Sequence, residues 1–478
     1  MAPRKLPNTL YNCCLKSCVQ IINLTAYNVS KCSEDYTECE KNAVSIKRYL
    51  DERIPARFVV FEDLCILRSK YGYEGHLAIQ FMLITHSSLT VLKKSNIDDS
   101  FTPEFWIKTL PNYTKLLVLD LKFLCTDEIL KVISNHCPLL QDVNIVSKIS
   151  IRKSPINAYV LVRNVSNDGL QHIAKLKKLR ILSMDPPRHD TNGRSGRNVT
   201  PNGIVTLISQ LPVLEELKIE TCDVGATIIG CRMDIGALSL TTINYHFATA
   251  DGIKKLIEMC PQLKALSCTH LNVKDKDQIL DSLSFCKQTF TKLHLAYVDY
   301  SYSLKTLLHF KGENLVDVAL SNVESLDPDA IEFIGYSCPY LESLRVIYYT
   351  TVFKRRRYTD HQIFVRLKRL TIESELPNIS EMLYYFFYAT KSITELNIKC
   401  KNKSNIDELM GRVLRNRLLI NLEQLHLDCS LELSPNVVKE IIVSCNNLVT
   451  LRLLLTPEMN DLHEFIKVNN YDMSLLGF

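Results

Sequence analysis

Cys260 to Leu266 reads CPQLKAL, and the same texture returns as CPYLESL at Cys338 to Leu344 and as CPLLQDV at Cys137 to Val143. The wider pattern, apolar-x-x-apolar-x-apolar, occurs thirteen times, beginning at Leu116, Leu140, Leu179, Leu214, Leu240, Leu263, Phe290, Leu315, Leu341, Leu367, Ile393, Leu422 and Leu448. Ten of the twelve gaps fall between 23 and 29 residues, a regularity that chance does not produce. The two long gaps, 39 and 35 residues, hold Lys148 to Arg163 and Asp185 to Thr200, which read as insertions in loops rather than missing copies. A degenerate earlier copy starts at Leu89.

Each hexad alternates as a strand does, and the segment after it carries apolar residues at helical spacing, as in Ile129, Leu130, Val132 and Ile133, so each period predicts one strand and one helix. Helix starts are marked by Thr102-Pro103, Thr200-Pro201, Ser434-Pro435 and Thr456-Pro457, with Asp127 and Asp251 expected to cap without proline. Cys137, Cys260, Cys338 and Cys445 each stand three residues before the next strand motif, where a small apolar side chain fits the helix-to-strand junction. This texture resembles the cysteine-containing class of leucine-rich repeats over about four-fifths of the chain. The resemblance implies an α/β solenoid over residues 86–478, a horseshoe with parallel strands inside and helices outside, in an intracellular binding protein. That class is common in substrate-binding subunits of ubiquitin ligases.

Seventeen cysteines form an odd total, several at buried repeat positions, and Met1 to Thr25 lacks the apolar core of a signal peptide, so free thiols are expected. The sequons at Asn23, Asn112, Asn198 and Asn378 then carry no sugar. Apolar stretches such as Met382 to Ala389 are far short of a membrane span. With 57 basic and 52 acidic residues the chain has no general field for nucleic acid or membranes. Lys354 to Arg357 is the one tight basic run, and reads as a solvated loop, with a nuclear localisation signal or a phosphate contact as the alternatives. The expected location is the cytoplasm or the nucleus.

Residues 1–85 have a different, helical texture. Thr9 to Ile22 reads TLYNCCLKSCVQII, with Leu10, Cys14, Leu15, Cys18, Val19 and Ile22 on one stripe of an amphipathic helix. Thr9, Leu10, Cys14, Leu15 and Cys18 resemble the elongin-C-binding box. That likeness implies that Leu10 enters a pocket of elongin C with Cys14 packed beside it. Family members carry a downstream apolar-proline motif that helps select the cullin, and Ile54-Pro55 within residues 54–64 is the candidate here, after a charged linker from Ala26 to Arg53.

A box of this kind before such repeats is similar to the Zyg and PRAME-like substrate receptors of cullin-RING ubiquitin ligases. The implied function is a non-catalytic receptor that binds elongin C, elongin B and a cullin through its front and a protein substrate through its repeats. Two alternatives stay open. Ile54-Pro55 could begin an F-box, although the later tryptophan of that domain is absent and Trp106 lies too far on. Thr9 to Ile22 could instead only cover the open end of the solenoid in a scaffold without ligase coupling.

No phosphate loop, His-Glu-x-x-His, nucleophile elbow or Cys-x-x-Cys pair is present, and Cys13, Cys14, Cys18, Cys32 and Cys39 lack zinc spacing, so neither enzyme, cofactor nor metal is expected. Side chains between the apolar strand positions face the concave side: Lys218, Asn244, His294, Arg345, Asn397, His426 and Arg452. Past two of those strands come Tyr297, Tyr300 and Tyr302, then Tyr348, Tyr349, Phe353 and Tyr358 with Arg355 to Arg357. The substrate-binding candidates are therefore His294, Tyr297, Tyr300, Arg345, Tyr348, Tyr349 and Arg356, against the alternative of loop aromatics folded onto the solenoid edge.

Overall fold

The computed structural model describes residues 17, 20–22, 24–29, 36–53, 81, 83, 85, 87–93, 102–121, 125–145, 165–184, 199–219, 222–231, 235–272, 274–323, 327–349, 362–374, 380–390, 392–400, 404–428, 431–454, 459 and 461–477. The chain divides into two compact units, residues 1–219 and 220–478.

Every one of the thirteen motifs forms a strand, and each strand begins two residues after the first apolar residue of its motif, from Val118–Asp120 to Thr450–Leu453. The degenerate copy at Leu89 does the same with Val91–Leu92. In the first unit five parallel strands follow chain order: Val91–Leu92, Val118–Asp120, Asp142–Ile145, Ile181–Met184 and Glu216–Ile219. In the second, ten more run parallel from Thr242–Ala248 to Ser474–Gly477. The last of these has no hexad and was not expected from the sequence. It joins the sheet by pairing Leu451 with Leu475.

The motif residues fill the core. Leu266, Leu293, Val318 and Leu344, equivalent positions in four successive strands, are all buried, each worth about 1.5 to 3 kcal/mol on removal from water. Both long gaps are insertions, since Asp142 pairs with Ile181 and Ile181 with Glu216 in unbroken register. Residues 148–163 and 185–198 of these segments lie outside the described residues.

Helix entries follow the expected chemistry with one correction. Thr102 and Thr200 cap helices whose first residue is proline, and Ser434 also precedes a proline-started helix. Thr456-Pro457 lies outside the described residues. Asp127 and Asp251 are not the caps: Thr126 and Thr249 are, because the hydroxyl oxygen accepts the backbone N–H three residues on. Asp127 instead reaches the next repeat, where its carboxylate accepts the Ser166 backbone N–H at 2.8 Å and the Ser166 hydroxyl at 2.5 Å.

The same relay recurs. Asn167 accepts the Thr200 N–H at 2.9 Å, Asp223 accepts the Thr249 N–H at 2.8 Å and its hydroxyl at 2.7 Å, and Asp407 accepts the Ser434 N–H at 2.8 Å. Gly169, Gly203 and Gly252 stand where any Cβ would collide with Asp127, Asn167 and Asp223 respectively. The four cysteines that precede strand motifs are all C-caps, and all are buried.

Tyr36–Arg53, read from sequence as linker, is an 18-residue helix. Its buried Lys47 donates to the Thr85 carbonyl at 2.6 Å and lies 5.9 Å from the Tyr113 ring, while the Thr85 hydroxyl and the Tyr113 hydroxyl share a bond of 2.6 Å. Beneath this contact Phe81 and Trp106 meet edge to face at 5.5 Å. Among the described side chains of this helix Ala43 and Lys47 are buried, and the long stem of Lys47 carries its charge to Thr85 and Tyr113.

Candidate functional site

Two surfaces carry the functional candidates: the open face of the sheet in the second unit and the N-terminal helical segment in the first. The alternation of the strands builds the former. With Leu293 and Leu295 turned to the core, Lys292 and His294 must face outward, and the same logic places Asp317, Arg345, Thr371, Asn397, His426 and Arg452 on that face.

His294 is tied down. Its Nε2 lies 3.1 Å from one oxygen of Asp317, whose other oxygen lies 3.2 Å from Lys292 Nζ. Burial works against the Asp317 carboxylate, but the bond and charge of His294 and the nearby Lys292 outweigh it and hold the group well below the usual carboxylate range. Arg345 is exposed, with Ala319 and Thr371 as its in-register neighbours. His426 lies between Asn397 and Arg452, and burial together with the Arg452 charge shifts its pKa downward against the pull of Glu395.

The aromatic candidates part company. Tyr297, in the left-handed region at φ 61°, stacks on His270 at 4.4 Å, and His270 stacks on Phe247 at 5.7 Å, making a ladder across three neighbouring strands. Tyr300 folds onto the body: its ring meets Phe333 edge to face at 6.3 Å and takes Lys305 Nζ at 4.6 Å. Burial, with Asp327 and Asp329 nearby, pushes its hydroxyl up to about 12. Tyr348 and Tyr349 end the strand Ser343–Tyr349, and their side chains are not described. Phe353, Arg355, Arg356, Arg357 and Tyr358 lie outside the described residues.

Sequence reasoning missed Asp317, Phe247 and His270. The signal was present: Asp317 occupies an outward strand position, and Phe247 and His270 each stand two residues past a hexad, as Tyr297 does.

Thr9, Leu10, Cys14, Leu15, Cys18, Ile54 and Pro55 lie outside the described residues. Residues 17, 20–22 and 24–29 are helical, so helix continues past the expected end at Ile22. Ile22, Ala26 and Val29 are buried on one side, whereas Ile21 and Leu24 are 64% and 61% exposed.

Cysteine chemistry is quiet among the described residues. Ten thiols are free, and burial pushes Cys137 and Cys445 up to about 11 and Cys260, Cys338 and Cys400 to about 12, which keeps them protonated. No described group of three or more His, Cys, Asp or Glu is placed to hold a metal, and no described helix is long and apolar enough to cross a membrane.

The fold is a leucine-rich-repeat scaffold: one parallel strand and one helix per repeat on a buried apolar core. No family model matches the chain, and no curated protein matches it in sequence. Among solved structures it is similar to the Rad7 and Elc1 complex of yeast, at 13% identity and TM-score 0.44 over 93% of this chain and 98% of that one. It is also similar to the leucine-rich repeat-containing protein LegL7 of Legionella pneumophila, at 12% identity and TM-score 0.34 over 65% of this chain and 90% of that one.

Proposed function

We propose that this chain is a non-catalytic substrate receptor of an elongin-cullin-RING ubiquitin ligase, docking elongin C with its N-terminal helix and presenting a protein substrate on its repeats. The observation that carries the reading is the two-sided apolar character of residues 20–22 and 24–29. Ile22, Ala26 and Val29 face inward while Ile21 and Leu24 remain in water, and exposed apolar side chains on a helix suit a partner groove. Tyr36–Arg53 is tied to Thr85 and Tyr113 through Lys47, and the preceding helix, with one side buried, keeps Ile21 and Leu24 for a partner. The box pattern at Thr9, Leu10, Cys14, Leu15 and Cys18 supplies the identity of the partner, and Ile54-Pro55 the cullin contact.

Affinity purification of the full tagged chain tests this. Wild type is expected to retain elongin C and elongin B, and Leu10→Ser with Cys14→Phe to lose both. A wild-type preparation free of elongin C overturns the proposal, and recovery of the F-box adaptor, lost on Pro55→Ala, replaces it with an F-box receptor.

A further inference from the structure

Phe285, Phe310 and Tyr336 each stand five residues before the next motif, which begins at Phe290, Leu315 and Leu341. The strands that follow them, Lys292–Ala296, Asp317–Ser321 and Ser343–Tyr349, are neighbours in the sheet, so the rings form a row along the helix ends of the second unit. The row lies in water: Phe285 is 69%, Phe310 55% and Tyr336 60% exposed, and the two phenylalanine rings are 5.5 Å apart. Leu283, Leu308 and Ile334 of the same helices fill the core, so these rings are not needed for the solenoid's own packing. Beside them, the turn after Phe285 carries Lys287 and Thr289, and the turn after Phe310 carries Glu313 and Asn314, all exposed. Neither Lys287 nor Glu313 has an ion pair among the described residues.

We infer that this row is where a second copy of the chain docks, with its repeat order reversed. Charge complementarity of the patch with itself carries the assignment. A two-fold axis lying in the interface, between the repeat of Phe285 and that of Phe310, exchanges equivalent positions of the two repeats. Phe285 then meets Phe310 of the second copy, Lys287 meets Glu313, and Thr289 meets Asn314, each contact made twice. One repeat further out, Tyr336 meets Glu258, which holds the equivalent position before Leu263 and is itself exposed. A uniformly acidic or uniformly basic partner would meet Glu313 or Lys287 with like charge, whereas a second copy satisfies both. Aromatic side chains in water, with charges only at their border, are what such an interface covers.

Sedimentation velocity of the full chain over a dilution series tests this. Wild type is expected to be a dimer at the top of the series and to dissociate on dilution. Phe310→Asp, which puts a charge into both ring contacts, should weaken association about a hundredfold. Glu313→Lys should weaken it about tenfold by setting lysine against lysine, and adding Lys287→Glu to that variant should restore the wild-type value. Tyr302→Asp, at an 84% exposed residue on the opposite end of the helix Tyr302–Lys311, should change nothing. Wild type monomeric at every concentration, a dimer indifferent to Phe310→Asp, or a charge-exchanged variant as weak as Glu313→Lys overturns the inference. Elongin C takes no part in the measurement, so the receptor reading stands or falls separately.

Discussion

Where each repeat hands on to the next, the molecule uses the same chemistry again and again; on the open face of the sheet the residue changes from each strand to the next. At the helix entries Asp127, Asn167, Asp223 and Asp407 each accept the backbone N–H of a Ser or Thr one repeat further on. On the sheet face, the equivalent central position is Asn244, Ser267, His294, Ala319 and Arg345 in five successive strands. Periodicity belongs to the contacts by which the chain holds itself, because every repeat has the same orphan N–H groups to satisfy. Aperiodicity belongs to the outward strand positions, which take no part in those repeat-to-repeat bonds.

Substitutions can break that contrast. The largest effect is expected at Gly225, where a Cβ would run into the Gly252 backbone carbonyl of the neighbouring helix; Gly225→Ala should cost about 3 kcal/mol, the upper range for overpacking, read as a lower urea midpoint. Asp223→Ala removes acceptors for the Ala226 N–H at 3.0 Å and for both Thr249 groups, and about 2 kcal/mol is expected, the scale of hydrogen bonds to a charged group.

On the sheet face, Asp317→Asn should cost about 1 kcal/mol at neutral pH. Its carboxyl is held low in the folded chain, so its contribution is present above the unfolded value near 3.9 and fades as pH falls through the folded one. Melting curves of parent and variant should accordingly draw together below about pH 4. Arg345→Ala comes last, changing stability by less than about 0.5 kcal/mol. A loss there comparable to that of Asp223→Ala would show that the face is structural, and the contrast would fall.

Much of the architecture was legible because its signal is periodic. Thirteen hexads became thirteen strands with a constant two-residue offset, and four cysteines marked four helix ends. Legibility failed where one residue serves a neighbour rather than its own helix. Asp127 looked like a cap and binds the next repeat's Ser166; the clue was Ser166 and Gly169, Thr200 and Gly203, Thr249 and Gly252, a hydroxyl residue three before a glycine each time.

Tyr36–Arg53 escaped because the contact described for it, Lys47 with Thr85 and Tyr113, is made by a lysine stem, which produces no apolar stripe. Ser474–Gly477 escaped because a terminal strand has a neighbour on one side and needs no full hexad. Of the surface candidates, position on a strand was readable for His294 and Arg345. The stacking of Tyr297 on His270 and the folding back of Tyr300 depend on distances between repeats, which no local pattern encodes.

The unbroken register between Asp142 and Ile181 makes the join between Ile145 and Val165 a place of unusual editorial freedom. Ring-closure entropy rises only with the logarithm of contour length, about 0.6 kcal/mol for each doubling. An epitope tag or a protease recognition sequence spliced there is expected to leave the pairing of Asp142 with Ile181 intact, giving a handle for capture or cleavage.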